Sequence, residues 1–143
     1  MQPIYRKLHI LFATLALALL TLNAAQAADS TLAGLWEVQI TPDGAPGPVI
    51  TNLVQLNKDG GVVNIDPEFG TGLGKWQRIG GRAYAMTFTH LFVDTAGAGS
   101  VTVEGSVELS RDKNTAHGPF FTEIRIDDIL VDSFGGTVDL IRQ

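Results

Sequence analysis

Apolar and polar residues alternate along most of the chain after residue 31. Such a period of two is typical of a strand with one face in a core and the other in water. Short segments rich in Gly, Pro and Asp separate eight stretches of this kind. The predicted strands are Leu32–Thr41, Val49–Leu56, Val62–Ile65, a strand centred on Trp76, Tyr84–Phe92, Val101–Leu109, Gly118–Ile126 and Phe134–Arg142.

The two longest predicted strands form a hairpin around a loop at Thr95–Ser100. Pairing them about that loop places residue i opposite residue 195 − i. Even positions then face odd ones, which brings the apolar sets of both strands to the same side. In this register His90 lies opposite Gly105.

After the N-terminal segment, no stretch with the 3.6-residue period of a helix is long enough to predict a helix. The chain is therefore predicted to be all-β. Strands joined by short turns usually pair with their sequence neighbours. We therefore expect an eight-stranded antiparallel up-and-down barrel, which also removes exposed strand edges. A two-sheet sandwich is the alternative. Loops are expected at Pro42–Pro48 and at Pro67–Gly74, where alternate glycines suggest bulging or close backbone approach.

The N-terminus has the pattern of a secretory signal peptide. Arg6 and Lys7 precede the apolar run Ile10–Leu22, and Ala25-Gln26-Ala27 fits a small-x-small cleavage site. The unbroken apolar run is shorter than the ~20 residues that a bilayer requires. We expect residues 1–27 to be removed, Ala28 to begin the mature protein, and the product to be periplasmic or secreted without membrane insertion.

Composition narrows the classes of partner. The 143-residue chain leaves 116 residues after cleavage, enough for one domain, residues 28–143. Without Arg6 and Lys7, eight basic residues face fifteen acidic ones, a formal charge of −7. That balance argues against nucleic acids and anionic lipid surfaces. Because the chain has no cysteine, disulfides and thiolate chemistry are excluded.

A family resemblance enters at Gly34-Leu35-Trp36, which is similar to the G-x-W motif of lipocalins. Arg142 resembles the lipocalin arginine that packs over that tryptophan. The block from Gly74-Lys75-Trp76 to Val103-x-Gly105 resembles small exported bacterial barrels of the lipocalin-like or allene-oxide-cyclase-like type. The resemblance implies a calycin-like barrel and permits ligand binding. It carries over no catalytic residue, and the chain lacks the T-D-Y motif, disulfide and final helix of lipocalins.

His90 is the most informative polar position. It alone interrupts the inward row Tyr84, Met86, Phe88, Phe92 with a titratable group. A large side chain opposite Gly105 would leave a niche, with Thr122 nearby on the next strand. The alternative is that His90 is a satisfied core histidine and Gly105 relieves strain in a coiled strand.

Other chemistry finds little support. His90 and Asp94 are four strand residues apart, about 13 Å, so they cannot chelate one metal ion together. The Asp127–Asp132 acidic group lacks calcium-loop spacing, no serine has a G-x-S-x-G context, and Gly70–Gly74 lacks the P-loop pattern. We expect no metal and no cofactor.

Three functions remain open. The first is binding of a small, largely apolar molecule inside a monomeric or homodimeric barrel. The second is a cofactor-free cyclase- or isomerase-type enzyme with His90 and Tyr84 as candidate catalytic residues. The third is a solid-core interaction or inhibitor protein acting through its loops. The candidate ligand-binding residues are Trp36, Trp76, Tyr84, Met86, Phe88, His90, Phe92, Gly105, Phe120 and Thr122.

Overall fold

A computed structural model describes residues 32–143. The predicted signal peptide, its cleavage site and the predicted start at Ala28 lie outside these residues. Within them, no helix is long and apolar enough to cross a membrane. The described chain contains strands and turns but no helix.

Eight antiparallel strands close into a barrel, which confirms the predicted fold class. Each strand pairs with its sequence neighbour, and β1 also pairs with β8. The strands are β1 (Gly34–Pro42), β2 (Ile50–Leu56), β3 (Gly61–Asp66), β4 (Gly70–Gly80), β5 (Ala83–Asp94), β6 (Gly97–Leu109), β7 (Thr115–Ile126) and β8 (Ile129–Arg142).

The inward faces follow the predicted alternation. On β1, Trp36 and Val38 are buried, whereas Leu35 is exposed. On β6, Val101, Val107 and Leu109 are likewise buried. An eight-stranded barrel has an interior just wide enough for side chains, or for one small ligand. The pattern of apolar residues therefore determined which face of each strand points inward.

The register predicted for β5 and β6 is wrong, because each residue pairs four positions away from its predicted partner. The connecting turn is Thr95-Ala96, so Asp94 pairs with Gly97 and residue i lies opposite 191 − i. His90 consequently faces Val101, and Gly105 faces Met86. The inward face was nevertheless correct, because an even shift keeps every side chain on its own side.

Several strands extend further than their apolar alternation indicated. β4 begins at Gly70, so the predicted loop Pro67–Gly74 shrinks to its first three residues. β8 begins at Ile129, because Asp127 and Asp128 adopt positive φ values of 47° and 65° and make a tight hairpin turn. Backbone pairing continues past the last buried residue, since it requires only hydrogen-bonding groups on a neighbouring strand.

One end of the barrel is closed by Trp36, which is fully buried. Its indole nitrogen donates to the Leu32 carbonyl at 2.9 Å. The Arg142 guanidinium lies 4.1 Å from the ring centroid and donates to the carbonyls of Ala33 and Lys113 at 2.9 and 2.8 Å. The expected packing of Arg142 over Trp36 is therefore confirmed, and it holds the first and last strands together at this end.

Candidate functional site

The barrel interior contains a cavity in the half away from Trp36. Its volume is about 80 Å³ for the centre of a water-sized sphere, whereas a single water needs roughly 10–15 Å³ by that measure. A compact void with this centre volume has a total volume of roughly 300 Å³, at the lower end of ligand pockets. The interior is therefore hollow enough for a small organic molecule.

Apolar side chains from six of the eight strands and from one loop form most of the cavity wall. Its aliphatic and sulfur-containing members include Val38, Ile40, Ile50, Val54, Met86, Val101, Val103, Val107, Val138 and Leu140, and its aromatic members are Phe69, Phe88, Phe120 and Phe134. Phe69 comes from the short loop between β3 and β4. Its ring centroid lies 6.3 Å from that of His90 and 5.9 Å from that of Phe92.

Four polar side chains interrupt this wall on one side. This interior polar cluster consists of Asn52 on β2, Asn64 and Asp66 on β3, and His90 on β5. All four are at most 9% exposed. Buried polar groups normally have hydrogen-bond partners, so the partners in this cluster show what it lacks.

Strand register brings the cluster together. Asn64 pairs with Gly72 on β4, and Gly72 pairs with His90 on β5. A Cβ atom on Gly72 would lie 2.7–2.9 Å from three atoms of the His90 ring. Because Gly72 has no side chain, the imidazole lies across β4 towards Asn64. The niche that accommodates His90 is therefore made by Gly72, not by Gly105.

The Asp66 carboxylate is held by three donors. Asn52 Nδ2 donates to Oδ2 at 2.8 Å, and the backbone N–H groups of Glu68 and Phe69 donate to Oδ1 at 2.7 and 2.9 Å. The same bonds shape the turn that places Phe69 against the cavity.

Three atoms of the cluster are buried without a partner among residues 32–143. They are Asn52 Oδ1, Asn64 Oδ1 and His90 Nδ1. An unsatisfied buried polar atom costs about 1–3 kcal/mol. Three of them facing one cavity are therefore a feature that a bound molecule could satisfy.

Burial lowers the pKa of His90, against the opposing effects of the Asp66 charge and of backbone hydrogen bonds at Gly70 and Phe69. Removing the imidazole from water penalises its charged form, and this effect is the largest. His90 is therefore neutral at neutral pH.

We expect the pKa of His90, followed by NMR of its ring protons, to lie below the ordinary value of about 6.5. At a pH between the pKa of His90 in the folded protein and its pKa in the unfolded chain, the unfolded chain binds more protons than the folded one. The free energy of unfolding should therefore fall as pH is lowered from about 6.5 to the folded pKa, and this contribution should level off below it. His90→Gln should remove it. An unshifted titration would contradict the buried position of the ring.

The predicted ligand-binding residues divide into two groups. Met86, Phe88, His90, Gly105, Phe120 and Thr122 line the cavity, whereas Trp36, Trp76, Tyr84 and Phe92 do not. Trp76 packs against Tyr84 with ring centroids 5.8 Å apart, and its indole donates to the Asn57 carbonyl. Phe92 packs across Gly99 on the neighbouring strand. Tyr84 is not among the residues that line the cavity, so the structure does not bring it and His90 into one pocket.

Sequence reasoning missed Asn52, Asn64 and Asp66. The signal was present, because inward positions of β2 alternate as Ile50, Asn52, Val54 and those of β3 as Val62, Asn64, Asp66. Phe69 had no comparable signal, since its position follows from a turn. Among residues 32–143, no group of three or more His, Asp or Glu residues is arranged to hold a metal ion.

Comparison with known proteins assigns no family. The sequence matches no protein-family model, and a comparison with curated protein sequences finds no significant match. The resemblance to lipocalins is therefore supported by the eight-stranded antiparallel barrel of the described residues and not by a family match. Function has to be argued from the site itself, because one fold hosts many activities.

Proposed function

We propose that this chain is an exported barrel that binds a small, largely apolar molecule in its interior. The observation that carries the proposal is the cavity of about 80 Å³, bounded mainly by apolar side chains and by one polar cluster. Ligand pockets usually combine an apolar wall for affinity with a few polar groups for orientation. This cavity has both parts.

The cavity limits ligand size and affinity. A molecule of about ten non-hydrogen atoms, at about 0.8 kcal/mol each, would bind with a free energy near −8 kcal/mol, which corresponds to a Kd near 1 μM. Long-chain lipids would not fit inside the cavity. We expect compact aliphatic or aromatic molecules instead.

Uptake of the small fluorescent dye 1-naphthol, which is uncharged at neutral pH, tests the proposal. The wild-type domain should enhance its fluorescence with saturation, and Val103→Phe should reduce this uptake at least tenfold. Val103 lines the cavity, so the larger ring fills the space at a cost of about 1–3 kcal/mol in stability.

Thr87→Phe is the matched control, since Thr87 is exposed on the outer face of the neighbouring strand. It introduces the same ring without reaching the cavity and should leave dye uptake unchanged. Equal uptake by both variants would place the dye outside the barrel. No saturable uptake by the wild type would count against an accessible interior.

The enzymatic alternative has one supporting observation, the partnerless Nδ1 atom of a neutral histidine in the cavity wall. Such an imidazole can accept a proton from a bound substrate. Mass spectrometry of a ligand recovered after incubation distinguishes the two functions. Binding leaves the ligand mass and isomer unchanged, whereas catalysis converts the ligand and is lost in His90→Gln.

A further inference from the structure

Within residues 32–143, no cationic side chain pairs with the buried carboxylate of Asp66. It is 9% exposed and lines the cavity. The ion pairs that the structure shows between described side chains, such as Arg82–Glu108 and Arg125–Glu123, do not involve Asp66. An unpaired charge in a barrel interior is costly, and such charges are normally paired or bound to a cation.

The partnerless atoms beside this carboxylate are all acceptors. Asn52 uses its amide nitrogen on Asp66, and Asn64 uses its amide nitrogen on the Leu53 carbonyl, so each presents Oδ1. His90 Nδ1 is also buried without a partner. A neutral imidazole protonated on Nε2 presents Nδ1 as an acceptor.

This arrangement specifies the head group of a ligand. A primary ammonium has three N–H donors and one positive charge. The cluster has three acceptors without donors and one negative charge without a counter-ion. A carboxylate would meet only acceptors and a like charge, and a hydroxyl has a single donor and no charge.

We propose that the cavity binds a small primary amine in its ammonium form, with the head group in the interior polar cluster and the tail against the apolar wall. This inference rests on the proposed binding function and adds the ligand class. The tail would contact side chains such as Met86, Val103 and Phe120, which line the remainder of the cavity. The void has room for a chain of about six carbons or a single aromatic ring.

Calorimetry with three ligands of six carbons each, which differ in their head groups, tests the inference. Hexylamine, hexan-1-ol and hexanoate are titrated at pH 7.5, where the amine is protonated and the acid ionised. We expect hexylamine to bind at least tenfold more tightly than hexan-1-ol, and hexanoate to show no binding. Equal affinities for the amine and the alcohol would overturn the inference.

Two substitutions in the cluster sharpen the test. Asp66→Asn removes the charge while its carbonyl oxygen can still accept from Glu68 and Phe69, so the preference for the amine over the alcohol should disappear. Asn64→Leu removes one acceptor without changing that turn. It should lower the affinity for hexylamine at least fivefold. It should also raise the thermal midpoint of the free protein, because a buried unsatisfied atom is lost.

Thr122→Val is the control, since Thr122 is buried in the cavity wall but belongs to a different part of it. Its preference for hexylamine should match that of the wild type.

If circular dichroism shows that the Asp66→Asn protein does not fold, the Asn64→Leu variant decides the question. Unchanged amine affinity in a folded Asn64→Leu protein would overturn the inference. Dye uptake without amine preference refutes only the ligand class, whereas absence of all uptake refutes the binding function as well.

Discussion

Trp36→Ala should lower the free energy of unfolding by about 3–5 kcal/mol, the range for large aromatic residues removed from a core. Trp36 is fully buried at the closed end of the barrel. The substitution also removes the donor to the Leu32 carbonyl and the ring beneath Arg142. Because small domains are stable by only about 5–15 kcal/mol, a substantial unfolded fraction is expected.

Urea denaturation followed by circular dichroism measures this effect. Phe121→Ala is the control, because Phe121 is also an aromatic strand residue but lies 47% exposed on the outer face of β7. It should cost less than about 1 kcal/mol, as surface substitutions usually do. Equal losses for the two variants would mean that Trp36 does not have the buried role described.

Gly74→Ala should cost about 3 kcal/mol or more, although it adds one methyl group. Gly74 pairs with Phe88, and its added Cβ would overlap the Thr87 carbonyl oxygen and lie 2.5 Å from the Phe88 Cα. Both are backbone atoms, so no side-chain rotation relieves the overlap. The β4 and β5 strands would have to separate, which places this substitution at the upper end of overpacking costs.

Gly47→Ala is the matched control. Gly47 has no atom within 4 Å of an added Cβ and needs no left-handed conformation. The same chemical change there should alter stability by less than about 0.5 kcal/mol. Thermal denaturation of the two variants side by side provides the comparison, and a stable Gly74→Ala protein would refute the close approach of β4 to β5.

Much of the fold could be predicted from the alternation of apolar and polar residues alone. The period of two identified eight strands, and their apolar sets correctly predicted the inward faces because the pleat alternates sides regardless of register. The resemblance carried by Gly34, Trp36 and Arg142 correctly predicted that the arginine packs over the tryptophan. The glycines of Gly70–Gly74 predicted close backbone approach, which the structure shows at Gly74, whereas Gly72 makes room for the His90 side chain.

Register was less accessible, and the candidate site depended on it. The assumed loop at Thr95–Ser100 displaced the predicted pairing by four residues and assigned the niche beside His90 to Gly105. A two-residue turn leaves little compositional signal when strand-like residues continue on both sides. The prediction that His90 breaks an inward face survived this error, whereas its predicted neighbour did not.

The sequence by itself determined the all-β class, the number of strands and the side of each strand that faces the core. These properties follow from local periodicity, which each strand carries independently. Only the tertiary structure decided that Asn52, Asn64, Asp66 and His90 share one wall of a hollow interior. That outcome depends on the pairing of β2 through β5, on a glycine that leaves space between two side chains, and on barrel closure, and none of these is encoded in the period of a single strand.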